Sequence, residues 1–280
     1  MSSRTNEPAT APWDRNRGII RTRKGAWRPG QVIYSHGYDL LRQLVGHVTF
    51  FQNLVLNVTG RLPEKRLGDW LEATFMCMSW PDARIWCNQI GALGGSVRAS
   101  PVASIAAGVM AADSRMYGPG TVRSSTRFIQ RALELSRAGW TTERIVAETA
   151  VRGRRVVAVG YSRPLAPADE RIEAMQRVAT GLGFETGPHL ALAYDIEAVL
   201  WERHHESINL AGYIMAFLSD QGFSVEEIYR LYATCVNGGI HACYAEAADN
   251  PAETFLPMRC DDVEYTGPAE RGVPAAGSRP

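Results

Sequence analysis

The spacing of apolar residues constrains this chain most, because it is helical almost from end to end. Leu67, Trp70, Leu71, Thr74, Phe75 and Met78 recur at intervals of three and four, which lays one apolar stripe along a helix over 64–78. Ala, Leu, Met, Glu and Arg dominate the middle of the chain and favour helix over strand. The same reading predicts helices over 38–45, 48–59, 123–138, 141–150, 169–182, 189–203, 208–221, 224–235 and 238–248. Gly60-Arg61-Leu62-Pro63 stops the second of these, and Ser224 with Glu227 has capping-box spacing. Pro81-Asp82 opens a further helix to about Ile90, which the glycines between 91 and 95 are expected to break. Residues 101–112, PVASIAAGVMAA, are small and apolar, a composition that predicts a buried helix with closely packed neighbours. Only 154–161 reads as a strand. The expected fold class is all-α.

The ends of the chain differ from its middle. Residues 1–30 carry seven basic and two acidic side chains with little periodicity, and read as a basic, partly disordered arm. Trp13 and Trp27 would be its anchors if it wraps a partner subunit. Residues 266–280 are rich in Gly and Pro and read as an irregular tail. Over all 280 residues, 30 basic side chains oppose 29 acidic ones, which gives no global case for binding nucleic acid or a membrane surface. No apolar run is long enough to span a bilayer and no secretory h-region opens the chain, so a cytoplasmic protein is expected.

Several chemistries lack their motifs. The five cysteines are scattered with no C-x-x-C, so a zinc ribbon is not expected. There is no phosphate-cradling G-x-x-x-x-G-K-S/T and no G-x-S-x-G. Glu202 and His205 have E-x-x-H spacing, but a di-iron site needs a second such pair, so no metal is expected.

Five segments, read in order, resemble the citrate synthase superfamily, and its citryl-CoA lyase-like branch most. These are Tyr38 to Pro63, ending in Thr59-Gly60-Arg61-Leu62-Pro63; residues 102–120, similar to the helix ending in "LHGG"; Gly160-Tyr161-Ser162-Arg163-Pro164-Leu165 with Asp169-Glu170-Arg171, similar to "GFGHPL…DPR"; Ser207-Ile208-Asn209, similar to "NVD"; and Ala233 to Pro268, similar to "AHxxE…DDVEYxGP". The resemblance implies a multi-helical fold over 31–265 with a large and a small helical domain, the smaller at about 120–205. It implies a homodimer, and a small carboxylic acid or coenzyme A thioester as substrate, with no tightly bound cofactor. His36 and His241 match positions nearer the helix packing than the chemistry.

The resemblance also locates a site whose catalytic residues are replaced. Tyr117 stands at the "LHGG" histidine, Tyr161 or Arg163 at the "GFGH" histidine, and Asn209 at the aspartate base of "NVD". A carboxamide accepts no proton near neutrality, so ordinary citrate synthesis or citryl-CoA cleavage is not expected. Arg171 matches the carboxylate-binding arginine of "DPR", and Arg259 lies near the C-terminal arginine of the family. A tyrosine beside a cation can have a lowered pKa and exchange protons, so Tyr117, Tyr161, Arg163 and Asn209 form the candidate catalytic set. Two functions follow: a diverged enzyme making or breaking a C–C bond, in a specialised biosynthetic pathway, or a non-catalytic subunit or sensor that binds an acyl-CoA or carboxylate.

Overall fold

A computed structural model describes residues 8–153, 155–162, 168–252, 254 and 259–273. It divides into two units. The first comprises Met1–Trp80 and Val109–Gly238, the second Pro81–Gly108 and Gly239–Pro280.

The first unit opens with a short helix, α1 (Ala11–Asn16), and three antiparallel strands, β1 (Gly25–Arg28), β2 (Val32–Ser35) and β3 (Tyr38–Asp39). The sheet, whose first strand lies in the basic arm, departs from the expected irregular arm and all-helical continuation. Its two-residue hairpin, His36-Gly37, puts both residues at positive φ (51° and 88°), as the twist of a tight hairpin demands. The helix expected over 38–45 is instead β3 followed by a single π-helical turn, Leu40–Leu44, whose first amides Asp39 accepts.

Helices α2 (Phe50–Thr59) and α3 (Lys65–Met78) follow as predicted. Thr49 and Gln52 form a reciprocal capping box on α2, and Gly60 ends it at φ 79°. The unit continues through α6 (Pro119–Arg137), α7 (Thr142–Ile145) with a π turn at Val146–Ala150, a two-stranded ribbon of β4 (Val151–Arg152) and β5 (Arg155–Val156), and α8 (Glu170–Gly181), α9 (Pro188–His204), α10 (Leu210–Asp220) and α11 (Val225–Leu231). The strand expected over 154–161 is thus confined to its first residues. The Ser224–Glu227 capping box forms on α11.

At the centre of this unit lies α10. Leu210 and Gly212 to Ser219 are all buried, so the helix is apolar on every side and is enclosed by α6, α8 and α9. Trp70 from the stripe of α3 stacks on Phe217 with ring centres 3.9 Å apart. The N-terminus of α10 carries Asn209, and the rigid core therefore fixes that residue in space.

The second unit contains α4 (Trp86–Ser96), most of α5 (Pro101–Ala112) and α12 (Asn237–Asp249), and a 3-10 turn at Cys260–Asp262. Here α4 runs straight through the glycines expected to break it. A Cβ at Gly91 would lie 2.7 Å from Ile240 Cγ2, and one at Gly95 would meet the Tyr244 carbonyl. The glycines therefore serve close helix packing rather than chain reversal.

The predicted burial of 101–112 is corrected. On α5 only Ser104, Gly108 and Ala112 are buried, whereas Val102 is 78% and Met110 74% exposed. Among the described residues no helix is long and apolar enough to cross a membrane.

Candidate functional site

Asn209 is the N-cap of α10. Its Oδ1 accepts the Gly212 amide at 3.1 Å and its Nδ2 donates to the Ser162 carbonyl at 2.8 Å. Both ends of the carboxamide are thus engaged. The backbone closes the same corner: the Asn209 amide donates to the Gly160 carbonyl at 2.9 Å, and Tyr161 pairs with Ile208 in an antiparallel bridge. Gly160 sits here at φ 108°, and a Cβ on it would lie 2.9 Å from the Cα of Gly212. The loop over 157–162 can therefore lie against the start of α10 only because both positions are glycine.

Tyr161 is brought to this corner but turned away from it. Its ring is buried edge-on against Phe128, and its phenol donates to the Ala193 carbonyl at 3.1 Å. Burial, reinforced by the nearby Glu197, pushes its pKa well above the ordinary phenol value. The expected proton-exchanging tyrosine is therefore corrected, because the surroundings are desolvating and anionic rather than cationic. Arg163 lies outside the described residues. Tyr117 is half-buried in the turn before α6, where its amide donates to Ser114 Oγ at 3.1 Å.

Arg171 is held by a residue that sequence reasoning passed over. Its Nε and Nη2 donate to the two oxygens of Asp169 at 2.7 and 2.6 Å, and its Nη1 to the Cys77 carbonyl at 3.4 Å. Asp169 is fully buried, caps α8 through the Arg171 amide, and also accepts the Leu210 amide at 2.9 Å. One carboxylate thus ties together the N-termini of α8 and α10. It accepts two hydrogen bonds on each oxygen, which fills its lone pairs and leaves none for a substrate proton. The guanidinium has five N–H groups, three of which are used, and its side chain stays 26% exposed. Two donors remain for a ligand carboxylate.

A second carboxylate, Glu197, accepts the Ile208 amide at 3.0 Å, and burial raises its pKa. Arg259 lies in the second unit. It is exposed, with its amide donating to Asp262. His205 ends α9 at φ 55°, its ring edge-on to Trp201, and among the described residues no three His, Cys, Asp or Glu side chains group as a metal ion would need.

Within the first unit, α6, Thr149, Arg152 and residues 157–159 line an open groove of about 580 Å³. Arg127, Arg131 and Arg152 stand over an apolar wall of Phe128, Val157 and Val159. The groove shares with the Asn209 corner both Phe128 and the loop that leads into Tyr161.

Neither protein-family models nor curated proteins give a match to this chain. Solved structures do. The chain superposes on citryl-CoA lyase from Hydrogenobacter thermophilus with a TM-score of 0.77 and 25% identity, covering 91% of this chain and 98% of that one. The chain belongs to the citrate synthase superfamily. Other members share the fold at lower identity. ATP citrate lyase from Methanothrix soehngenii gives 0.74 and 15%, over 90% of this chain and 42% of that one. Citrate synthase from Thermotoga maritima gives 0.62 and 18%, over 83% and 62%. The chain thus spans nearly the whole length of the lyase but only part of the two longer chains.

Proposed function

We propose that this chain is a diverged superfamily enzyme that acts on a coenzyme A thioester or a small carboxylic acid, making or breaking a C–C bond without the usual aspartate base. The Arg171 fork carries the reading. It is anchored on buried Asp169, keeps two donors open, and lies beside the helix end that bears Asn209. Such a fork holds a carboxylate in a fixed plane. The arginine groove over Phe128 suits the other end of the substrate, because coenzyme A combines phosphates with a flat aromatic base. The Methanothrix relative was solved with citrate and coenzyme A. Tyr117, Asn209 and Arg163 supply donors for a developing oxyanion.

A second reading is a binding subunit or sensor for the same ligands. It is favoured by the state of the carboxylate that accepts the Leu210 amide beside Asn209, since Asp169 already accepts two hydrogen bonds on each oxygen. In either case a homodimer is proposed, because the exposed apolar face of α5 calls for a cover.

The test is incubation in deuterium oxide with candidate acyl-CoAs and oxo-acids, read by mass spectrometry. Exchange or product that disappears in Arg171→Met and Tyr117→Phe supports the enzyme. Ligand-dependent thermal stabilisation without turnover selects the binder. Citrate formation from acetyl-CoA and oxaloacetate at rates that Asn209→Asp does not raise would overturn the assignment of Asn209 as a lost base.

A further inference from the structure

The basic arm has no role in the reading above, yet the structure gives it a definite chemical character. Residues 1–30 hold seven basic and two acidic side chains, while the rest of the chain holds twenty-three basic and twenty-seven acidic. The arm is therefore net +5 on a body of net −4. Its apolar side chains are also turned outward. Ile20 is 96% and Trp13 80% exposed, Ile19 and Trp27 are exposed, and α1 buries no residue. Every residue of β1 is exposed and its outer edge is unpaired among the described residues, so the strand ends the sheet without cover.

Elsewhere the chain presents the opposite pattern. Asp261, Asp262 and Glu264 alternate with Val263 and Tyr265, and all five are exposed. Arg17, Arg21 and Arg23 interleaved with Ile19 and Ile20 form the complementary series: cation and aliphatic against anion and apolar. Long-range attraction of this kind steers association, and the apolar side chains supply the contact.

We propose that the arm of one copy, residues 10–28, docks on the acidic segment 261–265 of a second copy, so that two chains exchange arms reciprocally. A two-fold pair satisfies both arms and both acidic segments at once, which closes the assembly. The clasp rests on the homodimer reading and extends it. It predicts an association that weakens with salt, as exposed ion pairs do.

Analytical ultracentrifugation of the full chain in about 50 mM salt, where screening is weak, tests it. Arg17→Glu with Arg23→Glu removes two pairs from each of the two clasps and is expected to weaken dimerisation by roughly thirtyfold or more. Asp261→Arg with Glu264→Arg is expected to do the same, with circular dichroism unchanged in both. Mixing the two variants decides between exchange and a contact within one chain. The heterodimer sets the two introduced glutamates of one arm against the two introduced arginines of the other copy's segment and leaves the second arm and segment as in the wild type, so exchange restores association. No restoration on mixing, or a dimer unmoved by either variant, overturns the clasp while leaving the homodimer intact. A wild type that stays monomeric overturns the clasp together with the homodimer reading.

Discussion

Asp169 offers the sharpest test of how the site is built. Asp169→Ala removes an acceptor for four donors: the Arg171 amide, Nε and Nη2, and the Leu210 amide. Arg171 then loses its counter-ion at a position where its side chain is 26% exposed, and the first amide of the central helix loses its cap. Removing one partner of a buried ion pair costs about 3–5 kcal/mol. Partial exposure of the guanidinium places the expectation at the lower end, about 3 kcal/mol, because water can take up some of the freed donors. With an unfolding entropy of roughly 2 cal/mol/K per residue, a unit of this size should melt about 7 °C lower. Urea titration gives the free energy and a thermal scan the shift. Arg171→Met, with Asp169 retained, should also destabilise. The double variant should cost less than the two singles added, because it leaves no orphaned charge. A loss below about 1 kcal/mol for Asp169→Ala, or strict additivity in the cycle, would refute the reasoning that this carboxylate ties α8 to α10.

Three further outcomes follow from single contacts. Tyr161→Phe should cost about 1 kcal/mol through the lost bond to Ala193 and leave any turnover unchanged; a large loss of turnover at unaltered stability would return Tyr161 to the chemistry. Gly91→Ala should destabilise by roughly 1–2 kcal/mol in urea melts despite its better helix propensity, because its Cβ would lie 2.9 Å from the Ile240 carbonyl oxygen, whereas Gly181→Ala, with open space around it, should be neutral or stabilising. His36 has its pKa lowered from 6.5 by burial and by Lys24, so the folded state favours the neutral ring. Its contribution is present above that value and lost as pH falls below it. His36→Asn, which suits the positive φ, should flatten the acid limb of the stability–pH curve below about pH 6.5.

The helices were legible wherever one side of a helix faces the core. For α3, α8, α9 and α11 an apolar stripe repeats at the helical period, and α10 is a longer buried run between clear start and stop signals. Reading failed where one residue type serves two ends. Glycines between 91 and 95 look like a break, yet they permit α4 to approach Ile240 and Tyr244, residues about 150 positions away. The run 101–112 announces an apolar helix, but composition does not say whether the cover comes from the same chain. The three strands, β1 at the end of the basic arm and β2 and β3 just beyond it, are not legible in the sequence because they are short and mostly carry no alternating pattern.

The site divides in the same way. Order along the chain was enough to point to Asn209, Tyr161 and Arg171, since a resemblance in sequence carries positions with it. It did not give their directions. Tyr161 is fixed by a carbonyl 32 residues away, and Arg171 by a carboxylate whose other partner lies 41 residues on.

By itself, the sequence determined the helical class and the helix boundaries near good caps, because each depends on neighbours within a few residues. Only the tertiary structure decided that the Tyr161 phenol is sealed, that Asp169 serves two helices, and that the small-residue face of α5 stays bare. Burial and lone-pair occupancy are set by groups brought together from distant parts of the chain, and no local pattern records them.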